Sequence, residues 1–169
     1  MKTKKIITKK HGTTLIKSLS HPVHQTRQSG NDWYTLPILE YCADAIALYQ
    51  GKLVLVERLK EPLGYALPGG RYDRLESAVD CAVREFKEET GLILFIEGMV
   101  GTYDTPGRDP RGPKVSTVVY GTANGKMRDE EGKTRVFLLE PGRVDQYEKQ
   151  FAFDHYTIIK DWQELIRKR

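Results

Sequence analysis

The sequence predicts a mixed α/β domain. Runs rich in β-branched and aromatic residues outnumber helical stretches, and only two segments carry apolar residues at helical spacing. Strands and helices do not alternate regularly, which argues against a doubly wound parallel sheet. At 169 residues the chain is long enough to bury a core in one domain.

Residues 1–36 are basic and polar, with "KIITKK" and "TTLIKSL" reading as two short strands. His21-Pro22 and the stretch from Gln28 to Asn31 read as breakers. The expected division is therefore an N-terminal arm, 1–36, and a main domain, 37–169. "CADAIALYQGKLVLVERL" predicts two strands around a Gln50-Gly51 turn, and "PLGYALPGG" a loop that its prolines and glycines keep irregular. Ser77 to Thr90 predicts a helix whose apolar stripe is Ala78, Val79, Ala82, Val83 and Phe86, with Gly91 as its C-cap. Strands are expected over Ile93 to Val100, Val115 to Gly121 and Arg135 to Leu139. A last helix, about Asp154 to Arg167, turns Tyr156, Ile158, Ile159, Trp162, Leu165 and Ile166 toward the core.

Composition narrows the function. Apolar content of 39% and charge of 30% are ordinary for a globular protein, and no apolar run approaches the ~20 residues of a membrane span. The basic start lacks the apolar block and cleavage site of a signal peptide. Cys42 and Cys81 lie in apolar segments without metal-type spacing and read as buried reduced thiols, which suits a cytoplasmic enzyme. The net charge of +4 gathers at the two ends and is not interleaved with aromatics, so nucleic acid is not the expected partner. Anionic small molecules remain open.

The predicted helix raises a physical question. Glu85, Glu88 and Glu89 stand at i, i+3 and i+4 on one side, close to the C-terminal end where the macrodipole disfavours anions. A solvated acidic face partnered by Arg84 and Lys87 is one account. A hard divalent cation such as Mg²⁺, which prefers carboxylate oxygens, is the other.

The surrounding residues decide between them. Gly70, Glu76, Arg84-Glu85-Phe86-Lys87-Glu88-Glu89 and Gly91-Leu92 resemble the Nudix box, matching every specified position of its Gly, five residues, Glu, seven residues, Arg-Glu pattern. The resemblance implies an α/β/α sandwich with a mixed sheet. It implies Mg²⁺-dependent hydrolysis, with Mn²⁺ as a possible substitute, of a nucleoside diphosphate linked to another group. Implied metal ligands are Glu85, Glu88, Glu89 and the carbonyl of Gly69. Arg84 is implied to orient a glutamate, and Glu76 to fix the loop entering the helix.

Three further stretches resemble the ADP-ribose pyrophosphatase branch: "YDTPGRDPRGPKVSTVVYG" (103–121), "RDEEGKTRVFLL" (128–139) and "FAFDHYTII" (151–159). They imply cleavage of ADP-ribose to AMP and ribose 5-phosphate. Two readings stand for "GRDPRG": a tight turn with Asp109 bridged to Arg108 or Arg111, or an arginine reaching the substrate. Arg58 has the same choice between a surface ion pair and a phosphate contact, and Gly70 joins these as a substrate-side residue. The catalytic base is left among Glu89, Glu130 and Glu131, because Lys133 stands where related enzymes often carry a glutamate. His155 reads as structural, Tyr65 takes the place of a tryptophan and offers a ring for stacking, and Trp33-Tyr34 is a second candidate stacker.

The rival readings are a Nudix hydrolase of another dinucleotide or of an oxidised nucleoside triphosphate, and a non-catalytic ADP-ribose sensor. The sensor expectation is weakened by the intact box and by a chain that ends shortly after Ile159. Relatives of this kind usually dimerise, so a homodimer with residues 1–36 at the interface is expected.

Overall fold

The computed structural model describes residues 6–10, 13–17, 24–29, 32–36, 38–73 and 75–169, with side chains from residue 38 onward. Contacts divide the chain into two units, Met1–Glu40 and Tyr41–Arg169. The first is a four-stranded meander of β1 (Ile6–Lys10), β2 (Thr13–Lys17), β3 (His24–Ser29) and β4 (Asp32–Leu36), each pairing antiparallel with the next. Two of these strands had no reading in the sequence. Gln28 and Ser29, expected as breakers, instead close β3 opposite Trp33 and Asp32. The breakers His21-Pro22 and Gly30-Asn31, and the side chains of Trp33 and Tyr34, lie outside the described residues.

The second unit is built on a sheet in the order β11-β6-β5-β10-β9, where β5 is Glu40–Tyr49, β6 Lys52–Arg58, β9 Ile93–Tyr103, β10 Lys114–Asn124 and β11 Thr134–Leu139. β5 and β6 pair only beside their turn, Leu48 with Leu53 and Tyr49 with Lys52. Beyond that they part, and the opening is filled by β7 (Gly64–Ala66) on β6 and β8 (Gly69–Arg71) on β5. The expectation of an irregular loop is thereby corrected. Glycine and proline leave 64–71 without intrinsic strand preference, and pairing to the two splayed strands imposes it.

Period-two alternation along these strands builds two cores. Ala43, Ala45, Ala47 and Val54 face one side with Val119 and pack against Cys81, Ala82 and Phe86 of α1 (Ala78–Thr90). Ile46, Leu53 and Leu55 face the other with Val118 and Tyr120, against Ile158, Ile159 and Trp162 of α2 (His155–Arg167). One helix on each face makes the α/β/α sandwich. A 3₁₀ segment, Pro141–Gln150, adds Val144 to the second core and had no sequence forecast. Two edges of the predicted stripes are corrected: Val79 and Ile166 are exposed, because each lies just past the arc its helix turns to the sheet. Both cysteines are buried and neither forms a disulfide. Among the described residues no helix is long and apolar enough to cross a membrane.

Candidate active site

α1 begins where Ser77 Oγ accepts the Asp80 N–H at 3.1 Å. It ends at Gly91, whose φ of 73° is cheap only for glycine and whose N–H returns to the Lys87 carbonyl at 2.9 Å. These caps fix which turn of the helix meets the Gly69-Gly70 strand. There Gly70 is pressed so closely to the Glu85 carboxyl that a Cβ would collide with it. The Gly69 N–H donates to Glu89 Oε2 at 3.0 Å.

The three helix acids differ in setting. Glu88 is half exposed, Glu85 is 18% exposed in its side chain, and Glu89 is partly buried and closely surrounded by protein. Burial, then the charges of Glu85, Glu130 and Asp44, push the Glu89 carboxyl up to about 8 against the pull of the Gly69 N–H. Burial also raises Glu85, with Glu88 and Glu130 adding repulsion and Arg84 opposing. Glu130, on the turn before β11, therefore belongs to the same field of mutually repelling carboxylates. Lys133 Nζ pairs with it directly.

Arg84 shares these charges out. Its Nη1 donates to Glu85 Oε1 at 2.7 Å and lies 3.6 Å from Glu88 Oε2, while Nε and Nη2 hold Glu76. Glu76 Oε2 in turn accepts the Asp73 N–H at 3.0 Å, which ties the loop to the helix. So engaged, no three acidic, histidine or cysteine side chains among the described residues converge on one point. The donor set still suits a hard divalent cation, being all oxygen, anionic, partly desolvated and self-repelling. Glu85, Glu88, Glu89 and the adjacent Gly69 backbone are the groups that could hold one.

The loop of residues 104–113 allots its charges in a way the spacing alone left open. Arg108 forms a two-pronged pair with Asp154, at 2.9 and 2.7 Å, and its side chain is only 5% exposed. Asp109 is buried and binds Arg111 through both oxygens, with Nη2 at 2.7 Å from Oδ2 and the Arg111 N–H at 2.8 Å from Oδ1. Arg111 itself is 48% exposed. Arg58 Nε donates to the Pro62 carbonyl at 2.6 Å. Burial and the nearby Arg111 lower its pKa, whereas Glu89 and Asp109 raise it, so Arg58 lies within the electrostatic reach of both the acid cluster and the loop.

Two expectations about rings and histidine change. Tyr65 is stacked on Phe137, with centroids 4.3 Å apart, and makes a T-shaped contact with Tyr147, so one face of the ring is taken up at the edge of the core. His155 is structural, as expected, but in an unforeseen way: its Nδ1 accepts the Leu67 N–H at 2.8 Å, just ahead of the Gly69-Gly70 strand. Asp44 Oδ2 stands 3.9 Å from its Nε2 and accepts from the Ser116 hydroxyl. Asp44 and Ser116 carried no sequence signal beyond a polar residue at an otherwise apolar strand position.

The chain matches the NUDIX domain model over residues 40–164. It is 34% identical over 122 residues to an ADP-ribose pyrophosphatase of Methanocaldococcus jannaschii, covering 70% of each chain. It is 46% identical over 95 residues to a putative 8-oxo-dGTP diphosphatase of Bacillus subtilis, covering 55% of this chain and 60% of that protein. Among solved structures, the NUDIX domain of Shewanella oneidensis NrtR complexed with ADP ribose superposes with a TM-score of 0.67 at 25% identity. That match covers 78% of this chain and 90% of the other.

Proposed function

Because the chain belongs to the NUDIX family, we propose that it is a divalent-cation-dependent pyrophosphohydrolase that cleaves ADP-ribose to AMP and ribose 5-phosphate. The observation that carries this reading is the meeting of two unlike charge clusters: the carboxylates Glu85 and Glu130 act on Glu89, and Arg58, whose guanidinium shares the Phe153 ring with that of Arg111, lies within reach of the Glu89 charge. A diphosphate needs both, one to hold its counter-ion and one to meet its own oxygens. The archaeal relative and the ADP-ribose complex of the neighbouring fold support this choice of substrate.

Glu85, Glu88, Glu89 and the Gly69 carbonyl are the proposed ligands of Mg²⁺, with Mn²⁺ as a substitute. When bound, the ion supplies positive charge for the diphosphate and acidifies water. Arg84 positions Glu85 through its 2.7 Å hydrogen bond. Glu89 and Glu130 are the partly buried carboxylates from which the base is drawn, while Glu131 is exposed on its turn. Arg111 and Arg58 bind substrate phosphate or ribose, with Asp109 aiming Arg111. Arg108, sealed against Asp154, contributes to the loop's shape.

The Bacillus relative favours one second reading, an oxidised nucleoside triphosphate as substrate. A phosphate-release screen of nucleoside diphosphate derivatives and triphosphates, coupled to a phosphatase, separates the two. Preference for ADP-ribose is expected, and preference for 8-oxo-dGTP would overturn the substrate. Binding of ADP-ribose without turnover would convert the enzyme into a sensor. We further propose a cytoplasmic homodimer to which residues 1–36 contribute, the buried cysteines outside any disulfide and the β-meander being what supports it. A monomer by light scattering at micromolar concentration would refute the assembly.

A further inference from the structure

Two guanidinium groups lie over the Phe153 ring. Arg58 Cζ stands 5.1 Å from its ring centroid and Arg111 Cζ 4.9 Å. Two like charges share one ring, whose quadrupole attracts both, while Asp109 also holds Arg111 and the Pro62 carbonyl also holds Arg58. The backbone at Phe153 is left-handed, with φ of 59°. For a bulky side chain this is strained, and glycine would adopt it at little cost. Strain at a non-glycine residue is retained where the surrounding structure uses the side chain.

The anchors around the ring are independent of it. The preceding Ala152 N–H donates to the Tyr65 carbonyl at 2.8 Å, and the following Asp154 holds Arg108. The His155 ring packs 5.1 Å from the Phe153 ring. The ring is therefore fixed from both sides of its own chain while the two arginines rest on it. A guanidinium carries five N–H donors in one plane, of which Asp109 on Arg111 and the Pro62 carbonyl on Arg58 engage only some.

We propose that Phe153 is a positioning residue for substrate binding: it holds Arg58 and Arg111 as a two-pronged clamp for the phosphate oxygens of a nucleoside diphosphate. The inference rests on the pyrophosphohydrolase reading for its ligand. Phe153 itself touches no phosphate and acts through the two arginines.

The test is steady-state kinetics with ADP-ribose and Mg²⁺. Phe153→Gly keeps the left-handed backbone and removes the ring, and should raise KM about tenfold with kcat within about twofold. Phe153→Tyr keeps the ring and should stay within about twofold of wild type in both. Combined with Arg111→Ala, Phe153→Gly should add less than it costs alone, because only Arg58 is then left for the ring to hold. An unchanged KM in Phe153→Gly, a Tyr variant as poor as the Gly variant, or strictly additive losses would overturn the proposal. Should the glycine variant misfold, Phe153→Leu keeps apolar bulk without a π face, and a wild-type KM there is equally fatal. Failure of the substrate reading is distinguishable, because it shows in the wild type, as turnover of another nucleotide or as ADP-ribose binding alone. The same variant ratios are then read on that nucleotide's KM, or on the calorimetric Kd for ADP-ribose.

Discussion

Arg84 grips Glu76 by both carboxylate oxygens, Nε to Oε1 at 2.8 Å and Nη2 to Oε2 at 2.9 Å, and still reaches Glu85 with Nη1. The residue that begins the box's acidic run thus fastens the loop entering the helix and the first of the helix glutamates with one guanidinium. Paired, planar donors of this kind define a geometry that a lysine ammonium would not.

This grip predicts an acid-sensitive stability. The hydrogen bonds from Arg84, helped by the Asp73 N–H, hold Glu76 at about 2, below its ordinary 4.5. A depressed folded-state pKa contributes stability above the unfolded value that is lost as pH falls from about 4.5 toward about 2. Denaturant midpoints of wild type should fall across that window more steeply than those of Glu76→Gln. Parallel curves would show the pair to be energetically silent.

Glu89→Gln should separate fold from chemistry. Glutamine can still accept the Gly69 N–H, and it stays neutral at a position whose surroundings already disfavour the carboxylate charge, so Tm without added cation should equal or exceed that of wild type. The same change should lower kcat on the order of 10²-fold. Activity that survives excess EDTA would remove the cation from the mechanism.

His155→Leu should cost about 1–3 kcal/mol, because it leaves the Leu67 N–H buried without its acceptor. Burial lowers the His155 pKa from 6.5, so the neutral ring contributes stability that is present above the unfolded value and lost as pH falls below it. Chemical denaturation at neutral and mildly acidic pH should show the wild type losing more of its stability on acidification than the variant.

The two loop arginines should part company. Arg111→Ala is expected to lower kcat/KM for ADP-ribose ten- to hundredfold, about 1–3 kcal/mol, and to affect a nucleoside triphosphate much less. Arg108→Ala instead breaks a buried ion pair and should destabilise the fold by about 3–5 kcal/mol. Equal losses on both substrates for Arg111→Ala would make the loop a structural turn.

The helix from Ala78 to Thr90, its glycine cap and its acidic flank were legible in the residues, because capping, periodicity and i, i+3, i+4 spacing are local properties of a helix. So was the mixed α/β class, since alternation along "CADAIALY" and "KLVLVER" already prescribes one helix-facing side and one opposite. The N-terminal meander was half legible. Its short strands are bounded by polar residues and carry little alternation, so their pairing partners supplied the rest.

The partners of the polar side chains were not legible. Arg108 and Arg111 occupy near-identical local settings in "GRDPRG", yet Arg108 is claimed by Asp154, 46 positions away, and Arg111 by Asp109, two away. Tyr65 gave one face to Phe137, and Leu67 found its acceptor in His155, 88 positions on. The sequence by itself determined the helix, its charges and the strands that flank them, which depend on neighbours within a turn or a pleat. Tertiary structure alone decided which arginine is sealed, which is left facing solvent and which ring carries it. Hydrogen-bond and stacking partners are chosen by proximity in space, and β7 and β8 reach theirs only once β5 and β6 have splayed apart.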